Sequence, residues 1–292
     1  MLVYLNGAYL DSAAARVSVE DRGFLFGDGV YEVTRALGGR LFASDRHLRR
    51  LEHGMRELEL HWPEGLDGAG VREVSERLLR DNRLTDGEAT AYVQITRGVA
   101  PRSHVFPAAG TPPTVYAVAR PFKGLEHERA RGVGAILVED VRWGRCDLKT
   151  IQLLPNVLAK QQAARADAFD AIQVRDGFVT EGANTNVFVV LDGVVRTHPT
   201  GPRILAGVTR EIVLELVREL RLPAREEPVL ATELTRASEL FFTGTTTDVM
   251  PVVRLDGRPV GNGQPGPVAR QLYATLRERM EQAAKISPAA TA

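Results

Sequence analysis

Residues 139–163, EDVRWGRCDLKTIQLLPNVLAKQQA, leave a strand, cross a short segment that carries Lys149, and enter an Ala/Gln-rich amphipathic helix. Downstream, DAIQVRD, GFVTE, TNVFVVLD and GVVRTHP read as strands, GVTREIVLELVREL as a helix with Gly207 at its mouth, and ASELFFTGTTTDVMPVVRLDG as two strands joined by a hydroxyl-rich turn. A final helix is expected from about Gly266 to Gln282. Upstream, MLVYLNGAYL alternates around an Asn-Gly pair, the pattern of a short hairpin. VYEVTRALGGRLFAS predicts a second hairpin turning at Gly38-Gly39. Ser44 reads as the N-cap of a helix through HLRRLEHGMRELEL, and a second helix is expected over residues 71–80. Two more strands fall around ATAYVQITRG and PTVYAVARPF.

Hairpins mixed with helices favour α+β over a strict βαβ alternation. The polar stretch PFKGLEHERARG (residues 121–132) reads as a linker. The expected domains are therefore an N-terminal α/β domain over 1–124 and a C-terminal α/β domain over 125–292, with a loose tail at 285–292. An interface between two domains is a usual place for a ligand.

The chain has 292 residues, 44% hydrophobic and 25% charged, values of an ordinary globular protein rather than a disordered one. Its formal net charge of zero argues against a general nucleic-acid binder, which needs a basic face. No apolar stretch approaches the roughly 18 residues of a membrane helix, and the N-terminus shows no basic stretch followed by a long apolar run. The single cysteine, Cys146, permits neither an internal disulfide nor a multi-Cys zinc site, and a cytoplasmic setting is the simplest expectation.

Basic residues are divided unevenly. Of 37, four are lysines (Lys123, Lys149, Lys160 and Lys285) and 33 are arginines. A Schiff-base amine must come from those four. Lys123 lies in the linker stretch, Lys285 in the tail, and Lys160 on a helix where exposure is expected. Lys149 is enclosed by Leu148, Ile151, Leu153 and Leu154, and apolar surroundings disfavour the charged form and prepare a nucleophilic amine. The competing reading is a surface lysine at a strand end.

Other residues admit two readings each. LAGVTRE places amides at a helix N-terminus suited to an anion, or to an ordinary cap. FFTGTTTD offers Thr245 to Thr247 after Gly244, and Arg50 a further contact, or else a plain turn and a solvated helix face. Glu181 ends a strand before a tight GANTN bend. Arg102 and His104 form a guanidinium-plus-imidazole pair in a Pro-rich loop, able to receive a carboxylate or simply solvated. Tyr31 follows a Gly-Asp-Gly turn and could equally be a packed strand tyrosine.

Seven segments occur in one order: EDRGFLFGDGVYEV, HLRRLEH, TRGVAPRSHVFP, EDVRWGRCDLKTIQLLPNVLAKQQA, VTEGANTNVF, THP…ILAGVTRE and ELFFTGTTTDVMPV. Together they resemble the class IV (fold type IV) pyridoxal-phosphate aminotransferases, most closely the D-amino acid enzymes, over about residues 2–280. The resemblance implies a smaller N-terminal α/β domain, a larger C-terminal domain with a barrel-like sheet, and pyridoxal 5'-phosphate in the crevice between them. It implies an internal aldimine on Lys149, pyridoxamine phosphate as the alternate form, and Glu181 at the pyridine nitrogen. Arg50, the Val208 and Thr209 amides, and Thr245 with Gly244 and Thr246 match the phosphate cradle. Tyr31, Arg102 and His104 match the substrate-carboxylate trap. In that family the Arg/His loop comes from the other subunit, which implies a homodimer with shared active sites and no resident metal.

The expected reaction is ping-pong transamination of D-amino acids such as D-alanine with 2-oxoglutarate. The alternatives on the same fold are branched-chain L-amino acid transamination, (R)-amine transamination and aminodeoxychorismate lysis, and, from another class, a cofactor-free binding protein. Ala183 and Gly244 stand where relatives often carry small hydroxyls, and Gly144 replaces a larger residue.

Overall fold

The structure, a computed structural model, describes residues 1–285, so all but the first residue of the tail expected to be loose lies outside them. The chain forms two units: Met1–Gly124 with Leu148–Gln152 and the segment from Met280, and Leu125–Asp147 with Leu153–Arg279.

The first unit contains β1 (Leu2–Leu5), β2 (Ala8–Asp11), α1 (Arg22–Phe26), β3 (Gly29–Leu37), β4 (Arg40–Leu41), α2 (Ser44–Glu57), α3 (Gly68–Asp81), β5 (Glu88–Thr96) and β6 (Thr114–Pro121). Its strands form one antiparallel sheet in the order β2-β1-β6-β5-β3-β4. The β1–β2 turn places Asn6 and Gly7 at φ 48° and 91°, the left-handed pair that a tight hairpin requires. Helices α2 and α3 bury Leu51, Met55, Val71, Val74, Leu78 and Leu79 with Val93, Ile95 and Val115 of the sheet. The N-cap of α2 is Ala43 in the left-handed region rather than Ser44, which is already the first helical residue and makes no cap bond.

Residues 148–152, assigned from sequence to the second domain, pack with this first unit. The backbone explains why. Tyr31 N donates to Lys149 O at 3.0 Å and Ile151 N to Gly29 O at 3.1 Å, so the lysine segment docks beside the start of β3.

The second unit contains α4 (Glu126–Arg131), β7 (Val133–Glu139), α5 (Leu154–Arg165), β8 (Asp170–Arg175), β9 (Phe178–Gly182), β10 (Asn186–Leu191), β11 (Val194–Thr197), α6 (Val208–Glu219), β12 (Ala224–Glu226), β13 (Glu239–Gly244), β14 (Asp248–Leu255), β15 (Arg258–Pro259) and α7 (Pro267–Lys285). The mixed sheet runs β12-β11-β10-β13-β14-β7-β8-β9, with β15 on β14. Its parallel pairs are β14–β7, β7–β8 and β11–β12. The architecture is mixed α/β with two sheets. Phe188 and Phe241 stack at 5.1 Å inside this unit, while Ala159 and Ala163 of α5 pack on Ala171 and Ala183. Ala183 is thus a core contact, and its carbonyl accepts from Asn156 Nδ2 at 2.7 Å. Among the described residues no helix is long and apolar enough to cross a membrane.

The stretch read as a linker holds a helix instead. In α4, Arg129 is buried and donates to Thr247 O (3.2 Å), Val249 O (3.2 Å), Asp248 Oδ2 (3.3 Å) and Tyr273 Oη (3.1 Å). A polar sequence hid a buried side chain, because a guanidinium can be buried when its donors are satisfied. Arg129→Met deprives the Asp248 carboxylate and two carbonyls of these donors, and should cost about 3–5 kcal/mol of stability in urea unfolding. A cost below about 1 kcal/mol would show that these bonds are replaced by water.

Candidate active site

In the first unit the site grows from strand alternation in β3. Successive residues face opposite sides, so Tyr31 stacks on Tyr92 at 5.6 Å while Glu32 turns to α2. Lys149 Nζ lies 3.3 Å from Tyr31 Oη and 4.3 Å from the tyrosine ring centroid. Of the other lysines, Lys160 donates to Phe169 O at 2.6 Å, and Lys123 and Lys285 are exposed.

Glu32 was not singled out from sequence, yet it organises this cluster. Its carboxylate accepts from Arg50 Nε (2.9 Å) and Nη2 (2.7 Å), from His47 Nδ1 (2.9 Å) and from Val33 N (2.9 Å). Burial alone would raise the Glu32 carboxyl, but Arg50 and His47 overcome burial and hold it well below the usual carboxylate range. Burial pushes His47 the other way, down from its ordinary value, with help from the nearby Arg50 and Lys149 charges and against the pull of Glu32. His47 is therefore a neutral imidazole whose Nδ1–H points at an ionised carboxylate. Arg50, expected at a phosphate, is here oriented by Glu32.

Arg102 and His104 occupy an exposed loop between β5 and β6. They are brought together with each other, both lying near the Phe26 ring. Neither makes a hydrogen bond or ring contact with Lys149 or Tyr31 of the same chain.

In the second unit, Asn186 gathers the remaining residues. Its Nδ2 donates to Glu181 Oε2 and to Leu205 O, both at 2.9 Å. Its backbone pairs with Thr243, the residue before Gly244. A Cβ at Gly207 would collide with its Oδ1. Glu181, Gly207 with the start of α6, and the Thr243–Thr247 region are thus assembled around one amide. Gly207 is the N-cap of α6 and no side chain caps that helix, so its first amides suit an anion. The Thr243 hydroxyl is buried without a hydrogen-bond partner, and Thr245 and Thr246 are half-buried beside it in the chain. This donor set fits a phosphate. At Gly244 a Cβ would meet Thr247 Oγ1 at an ordinary 3.5 Å, and at Gly144 it would meet nothing within 4 Å.

Arg142 is the second residue that sequence reading missed. It forks onto Asp140 (Nη2–Oδ2 2.8 Å, Nε–Oδ1 2.9 Å) and also donates to Glu181 Oε1. Glu181 accepts in addition from Leu205 N at 3.0 Å. Burial would raise Asp140, but the Arg142 fork holds it down to about 2. For Glu181 burial wins: it pushes the carboxyl up to about 7 against the pull of an arginine already committed to Asp140. Two buried acids thus share one cation and differ in protonation.

Because the folded Glu181 carboxyl sits above its ordinary value of 4.5, its contribution to stability is fully present below that pH and is lost as pH rises through 7. Between pH 5 and pH 8 the ligand-free wild type should lose roughly 2–4 kcal/mol more stability than Glu181→Gln in urea unfolding. Parallel curves for the two proteins would show that Glu181 ionises as an ordinary acid.

The family model described as amino-transferase class IV matches residues 29–255. The D-alanine aminotransferase of Staphylococcus haemolyticus is 40% identical over 279 residues, covering 96% of this chain and 98% of its own. That of Bacillus licheniformis is 42% identical over 277 residues, covering 95% and 96%. Among solved structures, a T.th. branched-chain amino acid aminotransferase complexed with N-(5'-phosphopyridoxyl)-L-glutamate matches with a TM-score of 0.86 at 25% identity, covering 97% of this chain and 94% of that one. The chain belongs to the class IV aminotransferases, pyridoxal-phosphate-dependent enzymes of fold type IV.

Proposed function

We propose that this enzyme transfers the amino group of D-amino acids, such as D-alanine, to 2-oxoglutarate by a ping-pong route, with pyridoxal 5'-phosphate carried on Lys149. The observation that carries the reading is the Lys149 amine, set against the Tyr31 phenol near the neutral His47. The extensive identity with D-alanine aminotransferases supports the choice of donor.

Bound at this site, the cofactor supplies an electron sink that lets the substrate Cα–H bond break. The Lys149 amine takes that proton and returns it, and Tyr31 Oη keeps the amine oriented. Glu181, with its carboxyl near neutrality, would share a proton with the cofactor's ring nitrogen, and Arg142, Asn186 and the Leu205 amide fix the plane of its carboxyl. Arg50, the amides of Val208 and Thr209, Gly244, Thr245 and Thr246 would hold the cofactor's phosphate. Tyr31, Arg102 and His104 receive the substrate carboxylate. A fixed guanidinium determines which face of Cα meets the lysine, and so the stereochemistry.

We assign the Arg102–His104 loop to the active site of a second copy, making the protein a homodimer, and place it in the cytoplasm. Two observations support the dimer. Neither Arg102 nor His104 makes a hydrogen bond or ring contact with the lysine of its own chain, and Phe24 and Val105 are 74% and 75% exposed, apolar surface that a second copy would cover.

The purified protein should be yellow, and borohydride followed by peptide mass analysis should mark Lys149. Activity with D-alanine and 2-oxoglutarate should fall about 10²–10⁴-fold in Lys149→Ala. A donor panel with L-leucine, L-glutamate, (R)-1-phenylethylamine and aminodeoxychorismate should leave D-alanine the best substrate. Activity confined to an L-donor would reject the reading.

The shared site has its own test. Lys149→Ala and Arg102→Ala chains, each impaired alone, should recover activity when co-expressed, because a mixed dimer then holds one intact site. Failure of mixed dimers to recover would place the loop in its own chain's site.

A further inference from the structure

We propose that Phe26 is a positioning residue for substrate recognition: its ring is a shared platform that orients Arg102 and His104. The proposal rests on the reading of those two residues as the carboxylate trap.

Phe26 closes the five-residue helix α1, whose placement is tightly specified. Asp21 caps the helix, accepting from Gly23 N at 2.8 Å and Thr96 Oγ1 at 3.0 Å. Gly27 ends it at φ 71°. The ring is half-buried, and three side chains lie against it. The Arg102 guanidinium carbon is 5.3 Å from the ring centroid, the Arg22 guanidinium carbon 4.9 Å, and the His104 ring 5.6 Å at a 44° tilt.

The loop backbone is fixed separately. Arg22 Nη1 donates to Ser103 O at 2.6 Å and reaches Val105 O at 3.4 Å, gripping the carbonyls on either side of His104. Arg97 lies over the Phe106 ring at 3.6 Å. Both arginines converge on Asp28, through Arg22 Nε at 2.8 Å and Arg97 Nε at 2.8 Å. The carbonyls of Ser103 and Val105 are thereby anchored to α1 and the Phe106 ring to Arg97, while the side chains of Arg102 and His104 are exposed apart from the Phe26 ring.

The chemistry favours a ring in this role. A carboxylate partner would orient Arg102 but neutralise it and take its donors. An aromatic face attracts the guanidinium and leaves its N–H groups available for an incoming carboxylate. It also reduces the rotamer freedom that two long exposed side chains would lose when substrate binds.

The test is steady-state kinetics of the holoenzyme with D-alanine and 2-oxoglutarate. Phe26→Leu should raise KM for both substrates about tenfold with kcat within about twofold, and Phe26→Tyr, which retains the ring, should restore KM. In an Arg102→Ala/His104→Ala background, Phe26→Leu should change KM less than about twofold, since the platform then has nothing to orient. Phe26→Met takes the place of the leucine variant if the latter does not fold. A KM effect of Phe26→Leu that persists undiminished in that background, or a Tyr variant as impaired as Leu, would overturn the proposal. If Arg102→Ala/His104→Ala itself leaves KM unchanged, the carboxylate-trap reading fails instead, and that result is separately visible.

Discussion

Two backbone hydrogen bonds, Tyr31 N to Lys149 O and Ile151 N to Gly29 O, fix the surroundings of Lys149 in the first unit. Without them Lys149 would lie on a segment between α/β elements of the other unit. With them it becomes a neighbour of β3, and strand geometry decides what surrounds it. Tyr31 faces the amine. Val30 and Glu32 face α2, where Gly54 lies so close that its Cβ would meet Val30 Cγ1 at 3.1 Å. That close approach brings His47 and Arg50 to Glu32. One strand thus sets the phenol, the ionised carboxylate and the neutral imidazole within reach of one lysine.

Protonation in both units follows from how carboxylates share arginines. Glu32 has Arg50 and His47 and stays ionised despite burial. Asp140 takes the fork of Arg142 and stays ionised as well. Glu181 receives only what remains of Arg142, and burial prevails. The low acids hold cations in place at no cost in proton uptake. The raised acid is the one whose protonation changes near neutral pH. The chemistry is therefore set by the arrangement of counter-ions and not by residue type, since all three groups are carboxylates.

That dependence explains what could be read from the sequence. Hairpins at Asn6-Gly7 and Gly38-Gly39 were legible because turn chemistry is local. The helices from Ser44 and Val208 were legible because their apolar spacing is periodic. Lys149 stood out by scarcity, and Glu181 by its place at a strand end. Glu32 was hidden inside VYEV, where an acid on an alternating strand looks solvent-facing. Its signal was the HxxR pair His47/Arg50 on the next helix, three residues apart and so on one face. Arg142 and Asp140 were two residues apart in the quoted segment, but nothing local says that a third group, Glu181, competes for the same cation. Linker residues 126–131 misled for a related reason: Arg129 is buried by partners more than a hundred positions away.

The arginine excess has a structural meaning that composition alone does not reveal. Arg22, Arg35, Arg97, Arg129 and Arg210 are buried, and Arg142 nearly so. Most of them bind a carboxylate and at least one backbone carbonyl at once, as Arg22 does with Asp28 and Ser103 O, Arg97 with Asp28 and Leu58 O, and Arg210 with Glu226 and His198 O. A planar fork with five donors can join a side chain to a loop in this way, whereas an ammonium offers a point charge that loses more solvation when buried. Arginine is thus the residue that ties loops to acids in this fold.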